Sequence, residues 1–431
     1  MIARRLFVLF AVAMLAITGM SVSAQEDIVI DFYYPIAVDG PLTEVVQGYA
    51  DDFMAENEGI IINPVYTGSY TQTREVVLTE GMDPVVDVAV LLAIDLFTFV
   101  EEGTIVPLDD YLAQEQIDDT FDVLWQNSID EMGSYWSVPF QRSTPVLYYN
   151  ADLLAENDIA VPQNNEELLA AAQALTTEDR FGLMIPVAGT FPIWMFESFA
   201  NGFGQPLSET DTPAEVFLNT EEALAAASYL VELGTVYNVM PEGGSAWGDT
   251  PTAFTSGQAA MIYHTTGSLT SILNNADFEV GVAFTPSGPA GEDGTGFGTP
   301  TGGGNLYMFD NPNAPKSEAE LAATWAWIEY LSSAEIQSDW SVQSGYIAAR
   351  TSAWDIEPLA TRTEEFPQYA VARDQLAIAD REFASFRTVD VQGIINATLS
   401  RILSGEVSLE DAAAELEAGQ TQIDGLLEEY R

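Results

Sequence analysis

The chain has no cysteine, one lysine (Lys316) and one histidine (His264), and 13 basic residues stand against 66 acidic ones. Without cysteine there are no disulfides, thiolate nucleophiles or zinc–sulfur sites, and no lipid-modified N-terminal cysteine. A single histidine excludes a polyhistidine metal centre, so no metal or cofactor is expected. The formal net charge of -53 opposes nucleic acid, whose phosphates need basic neutralisation. No G-x-S-x-G elbow, H-E-x-x-H metal motif or phosphate-binding G-x-x-x-x-G-K-[ST] loop occurs. Carboxylate pairs are too easily found among 66 acids to argue for a glycoside hydrolase, although that reading stays open on composition alone.

One long apolar run is present, at the amino terminus. MIARRLFVLFAVAMLAITGMSVSAQ has Arg4 and Arg5 before its hydrophobic stretch, and small residues at Val22-Ser23-Ala24. It reads as a signal peptide over residues 1–24, placing the mature chain in the periplasm or outside the cell. No second run is long enough to span a bilayer. The remaining length exceeds one typical domain, so two or more lobes are expected.

Short strand-like runs alternate with helical ones. Ile28–Tyr33, Ile60–Val65, Val85–Val90 and Val146–Tyr149 read as strands. Pro41–Gly59, Thr71–Glu80, Glu166–Leu175, Glu221–Leu233, Trp325–Leu331 and Ser408–Tyr430 read as helices, and Asn150 is placed to cap another. Pro286–Gly304 is the one extended irregular piece. The alternation predicts an α/β fold with crossovers on a parallel or mixed sheet, and two such lobes suggest a ligand cleft between them.

Five segments carry a more specific likeness: YTGSYTQ (Tyr66–Gln72), PFQRSTPVLYYN (Pro139–Asn150), GQAAMIYHTTGSL (Gly257–Leu269), GGGNLYMF (Gly302–Phe309) and SGYIAAR (Ser344–Arg350). In this order they resemble the extracellular solute-binding proteins of bacterial ABC importers, the family that includes maltose-binding protein. Within it, the likeness is nearest to the glycerol-3-phosphate-binding members. It implies a periplasmic-binding-protein fold of two α/β lobes with several chain crossovers. One lobe would hold residues 25–138 and 297–343, the other 139–296 and 344–431.

The resemblance also implies a ligand site. Tyr70, Ser143, Gly303, Tyr346 and Arg387 match ligand-contacting positions of the family, and either Thr266 or Ser268 matches a binding serine. Tyr33 and Tyr34 are weaker candidates for the same wall. Arg142 replaces a serine; its fork of donors could anchor an anion or pair with a neighbouring carboxylate. A family glutamate falls on Leu91 here, with Asp95 four residues further on. Trp194 and Phe191 stand in an altered tryptophan-rich segment. His264 is expected in the core or near a hinge. The ligand implied is glycerol-3-phosphate or a glycerophosphodiester; an oligosaccharide or other polyol is the alternative. A monomer that delivers its ligand unchanged to ABC permease subunits is expected, with no catalytic residue.

Overall fold

The computed structural model describes residues 27–80, 86–189, 192–208 and 212–431. The expected signal peptide and Phe191 lie outside the described residues. Among the described residues eight strands form two sheets: β1 (Ile28–Pro35), β2 (Ile60–Gly68), β3 (Val88–Leu92), β4 (Ser137–Ser143), β5 (Pro145–Asn150), β6 (Met261–Thr265), β7 (Val280–Ala283) and β8 (Gly302–Met308). One sheet has the order β2-β1-β3-β8-β4, the other β6-β5-β7.

The five-stranded sheet is mixed. β1 runs parallel to β2 and β3, while β8 is antiparallel to β3 and β4. Its interior position follows from the side-chain alternation. Ile30, Phe32 and Tyr34 enter one core layer with Phe53 and Trp327, and Tyr33 enters the opposite layer with Phe97 and Tyr307. Each of Val88, Ala89, Val90 and Leu91 is fully buried, as a central strand covered on both faces requires. The three-stranded sheet is antiparallel. Its central β5 sends Val146 and Tyr148 into the layer with Phe254, and Leu147 into the layer with Phe199.

These sheets anchor the two lobes, and the chain passes between them at closely grouped places. β4 ends at Ser143 in the larger sheet and β5 begins at Pro145 in the smaller, so the handover comes at Thr144 and not at the expected Pro139. Gln375 ties this crossing down, its side-chain amide donating to Thr144 Oγ1 at 2.8 Å and to the Pro145 carbonyl at 2.7 Å. Thr299–Thr301 meets Asp380 through two backbone hydrogen bonds of 3.0 and 2.7 Å. The segment after Gly345 docks by Ile347 N–H donating to the Arg142 carbonyl at 2.8 Å.

Among the described residues no helix is long and apolar enough to cross a membrane, and no cluster of metal-ligating side chains is found.

Candidate functional site

Between the lobes lies a cleft with two connected chambers that share Leu92, Trp194 and Glu382 as walls. The inner chamber, about 30 Å³, is also lined by Tyr70, Ser143, Trp247, Thr265, Gly303 and Tyr346. The outer one, about 280 Å³, opens along the Pro192–Phe203 and Thr388–Leu403 helices. Five expected site residues therefore meet in one place: Tyr70, Ser143, Trp194, Gly303 and Tyr346.

Local structure explains each position. Tyr70 opens the helix Tyr70–Glu80 directly after β2, and its buried hydroxyl donates to Gln141 Oε1 at 2.8 Å. Tyr346 follows the left-handed Gly345 that ends the helix Ala334–Ser344, and its ring stacks on Trp340 at 6.1 Å. Burial raises the Tyr346 phenol to about 12 and lifts the Tyr70 phenol well above its ordinary value, so both stay protonated donors. Gly303 has φ +93, and a Cβ there would lie 1.9 Å from the Gln141 carbonyl oxygen. The β4–β8 pairing next to Ser143 therefore admits only glycine at this point.

The helix Pro192–Phe203 is apolar nearly all round, yet it carries Glu197 three residues after Trp194. That spacing puts both on the face turned to the cleft. The Trp194 indole donates to the Thr301 carbonyl at 2.9 Å and packs 6.0 Å from Trp247. Val389, Gln392, Gly393 and Asn396 recur at helical spacing along the opposite wall.

Other expected residues stand elsewhere. Arg142 is wholly buried but lines neither chamber. Its guanidinium donates to Asn305 Oδ1 at 3.2 Å and Thr301 Oγ1 at 3.1 Å, beneath the cleft floor. Burial depresses its proton affinity and the Glu382 carboxylate opposes that shift. Arg387 adopts a left-handed backbone, φ +51, before the helix Thr388–Leu403. Its exposed side chain turns outward to Asp390 at 3.0 Å and lies 4.0 Å from Glu429. Thr266 and Ser268 are buried in the turn after β6, where Thr266 Oγ1 accepts from Thr144 N–H and Ser268 meets His264 Nδ1 at 3.0 Å. Their neighbour Thr265 faces the cleft instead. Gly267 lets this turn lie against the Tyr346 ring, which a Cβ would approach to 2.9 Å.

Tyr33 and Tyr34 belong to the core layers. Leu91 is also core, and strand alternation gives the cleft Leu92. Asp95 is buried in an ion pair with Arg74 at 2.9 Å and lines neither chamber. His264 is buried between the Trp247 carbonyl, 3.1 Å away, and Ser268, and burial lowers its pKa to about 4.

Trp247, Glu197 and Glu382 are among the cleft residues that the sequence reading does not single out. An acid inside the apolar run FPIWMFESF was a legible signal for Glu197, since an unpaired charge is rarely buried without a task. Glu382, in DREFASF, gave none. Asn127 clamps its backbone, accepting from Glu382 N–H at 3.1 Å and donating to its carbonyl at 2.9 Å. Its Oε2 is buried without a hydrogen-bond partner. Burial raises its pKa to about 8, against the lowering influence of Arg142, with Asp95 raising it further. Glu197 is pushed well above the usual carboxylate range, first by burial and then by Glu382, while the Phe383 N–H, 3.2 Å away, opposes the shift.

A two-lobed α/β protein with an aromatic and carboxylate-lined interlobe cleft has the form of a solute-binding protein. Residues 48–368 match the family of bacterial extracellular solute-binding proteins, and the chain belongs to that family. The sn-glycerol-3-phosphate-binding periplasmic protein UgpB of Pectobacterium atrosepticum is 25% identical over 385 residues, covering 85% of this chain and 83% of that protein. Mycobacterium tuberculosis UgpB, solved in complex with glycerophosphocholine, superposes with a TM-score of 0.78 at 22% identity, covering 93% of this chain and 98% of that one. Maltose-bound MalE3 of T. maritima gives 0.79 at 19% identity, with 92% and 99% covered. The same backbone thus serves proteins solved with ligands of unlike chemistry.

Proposed function

We propose that this chain is the extracytoplasmic ligand-capturing subunit of an ABC importer and that its cleft takes a saccharide in preference to a phosphate-bearing polyol. The observation that carries the choice is Glu382. Its unpartnered oxygen belongs to a side chain that walls both chambers together with Trp194. A carboxyl accepts hydrogen bonds from sugar hydroxyls, and indole and phenol rings pack on the carbon–hydrogen faces of a sugar ring. A phosphate would instead meet buried acids. Arg142 and Arg387 stand outside both chambers, and Arg74, which lines the outer one, is already paired with Asp95.

In this reading the lobes are those expected from the sequence, with their first boundary moved to Thr144. Closure about the grouped crossings encloses the ligand without unfolding either lobe. The closed form docks as a monomer on the permease, ATP is hydrolysed by other subunits, and the ligand is returned chemically unchanged. Calorimetric titration with maltose, trehalose, cellobiose, glycerol-3-phosphate and glycerophosphocholine tests the ligand class. Saturable binding of a sugar, with neither phosphate compound bound, is expected; binding confined to the phosphate compounds overturns the choice.

A further inference from the structure

Glu382 and Glu197 are two acids walling one chamber, and both are almost completely removed from solvent. A neutral sugar satisfies the hydrogen bonding of such groups but leaves burial free to hold them in their neutral forms, since an ionised buried carboxylate is strongly unfavourable without a close positive partner. Two nearby cations act on these acids, Arg142 on Glu382 and Arg381 on Glu197, but neither outweighs burial. Arg142 donates to Asn305 and Thr301, Arg74 pairs with Asp95, and Arg381 donates to Ser208 Oγ and the Ala384 carbonyl. Asp380, exposed on the same segment, adds further negative charge near Glu197. Beside the two acids, the Trp194 ring walls both chambers, and an indole face attracts a cation.

Building on the saccharide reading, we propose that the preferred ligand carries a free amino group, whose ammonium is held between Glu382, Glu197 and the Trp194 ring. The ammonium supplies N–H donors for the unpartnered Glu382 oxygen and a positive charge in direct contact with it, which favours the carboxylate form. The net charge of -53 steers such a ligand inward, whereas it repels a phosphate. With its pKa raised to about 8, Glu382 carries a proton in the empty cleft near neutral pH. Seating an ammonium against it releases that proton to solvent and leaves a carboxylate–ammonium pair.

The test is calorimetry at pH 6.5 on the whole mature protein, comparing amino sugars with their parents: glucosamine against glucose, and the β-1,4 glucosamine disaccharide against cellobiose and its N,N′-diacetylated form. At least one amino sugar should bind tenfold or more tightly than its parent and its acetylated counterpart. Repeating the titration in two buffers of different ionisation enthalpy should show proton release for the amine alone. Glu382→Gln should shrink the amine-to-parent ratio several-fold; the wild-type comparison stands even if that variant folds poorly. If no amino sugar outbinds its parent, the amine proposal is overturned. Parent sugars that still bind would leave the saccharide reading intact; silence from every sugar, with glycerol-3-phosphate or glycerophosphocholine bound, would overturn both.

Discussion

The Trp247 indole N–H donates to the backbone carbonyl of Ala37 at 3.1 Å, joining the turn after β1 to the segment that precedes the helix Asp249–Thr255. This bond runs from the lobe of the five-stranded sheet to the lobe of the three-stranded one. Both residues line the inner chamber. A bond that joins the lobes only when they are together favours the closed arrangement.

Trp247→Phe keeps an aromatic ring but removes the donor, leaving the Ala37 carbonyl to water. The closed form should lose about 1 kcal/mol relative to the open one. Small-angle scattering of the ligand-free variant should give a larger radius of gyration than wild type. An unchanged radius would show that this bond does not hold the lobes together.

Arg142 and Arg387 should separate cleanly. Arg142→Met strands Asn305 Oδ1 and removes the buried cation that acts on Glu382, and leaving a buried acceptor without its donor costs about 1–3 kcal/mol. Urea unfolding should show a much lower midpoint. Arg387→Ala touches only exposed partners and should leave melting temperature and ligand affinity where they were. Loss of affinity in the Arg387 variant would restore its role as an anion anchor.

Much of this was legible in the sequence, and the exceptions have physical causes. Period-two and helical patterns located β1, β2, β5 and most long helices, and Asn150 does cap its helix, Oδ1 accepting from Leu153 N–H at 3.0 Å. Pro139 obscured β4: it sits at a register irregularity where the pairing with β8 skips a residue, so strand propensity gave no cue. The triple glycine, expected in an irregular piece, is the start of β8. Tyr70, Ser143, Gly303 and Tyr346 from the ordered motifs, and Trp194 from the altered tryptophan-rich segment, line the same chamber. Whether an arginine points into that gap depends on depth, which motifs do not encode: Arg142 passes below it and Arg387 turns away. Glu382 and Trp247 reach the cleft through long-range crossings that no local pattern reports.

Gly303→Ala should be poorly tolerated despite its small size. The new methyl would meet the Gln141 carbonyl in a positive-φ backbone, and relieving the clash must part β4 from β8. A loss of at least about 2 kcal/mol in stability is expected. Urea titration checks it; a change within about 0.5 kcal/mol would mean that the local pairing differs from the one described.

Stability should fall as pH rises past neutrality. Glu382 has a pKa of about 8 in the fold against 4.5 for the ordinary side chain, so the native state holds a proton that the unfolded chain releases. Its contribution is complete below about 4.5 and is lost as pH climbs to 8. His264 has the opposite sign: held neutral with a pKa of about 4 against 6.5, it favours folding less as pH drops from 6.5 toward 4. Between pH 6.5 and 8 the Glu382 contribution acts without that opposition. Melting temperatures of wild type should decline across this window more steeply than those of Glu382→Gln, which has no proton to lose. Parallel curves would remove Glu382 as the titrating group.

Under the proposed function, the cleft walled by Trp194, Trp247 and Glu382 captures a saccharide. Tryptophan fluorescence of the ligand-free protein, titrated with amino and neutral sugars and with glycerol-3-phosphate, tests it most directly, because two indoles border the inner chamber. A saturable spectral shift with a sugar, abolished in a Trp194→Phe, Trp247→Phe double variant and absent with glycerol-3-phosphate, is the expected result. A saturable shift with glycerol-3-phosphate and none with any sugar would mean that the cleft takes a phosphate-bearing polyol instead.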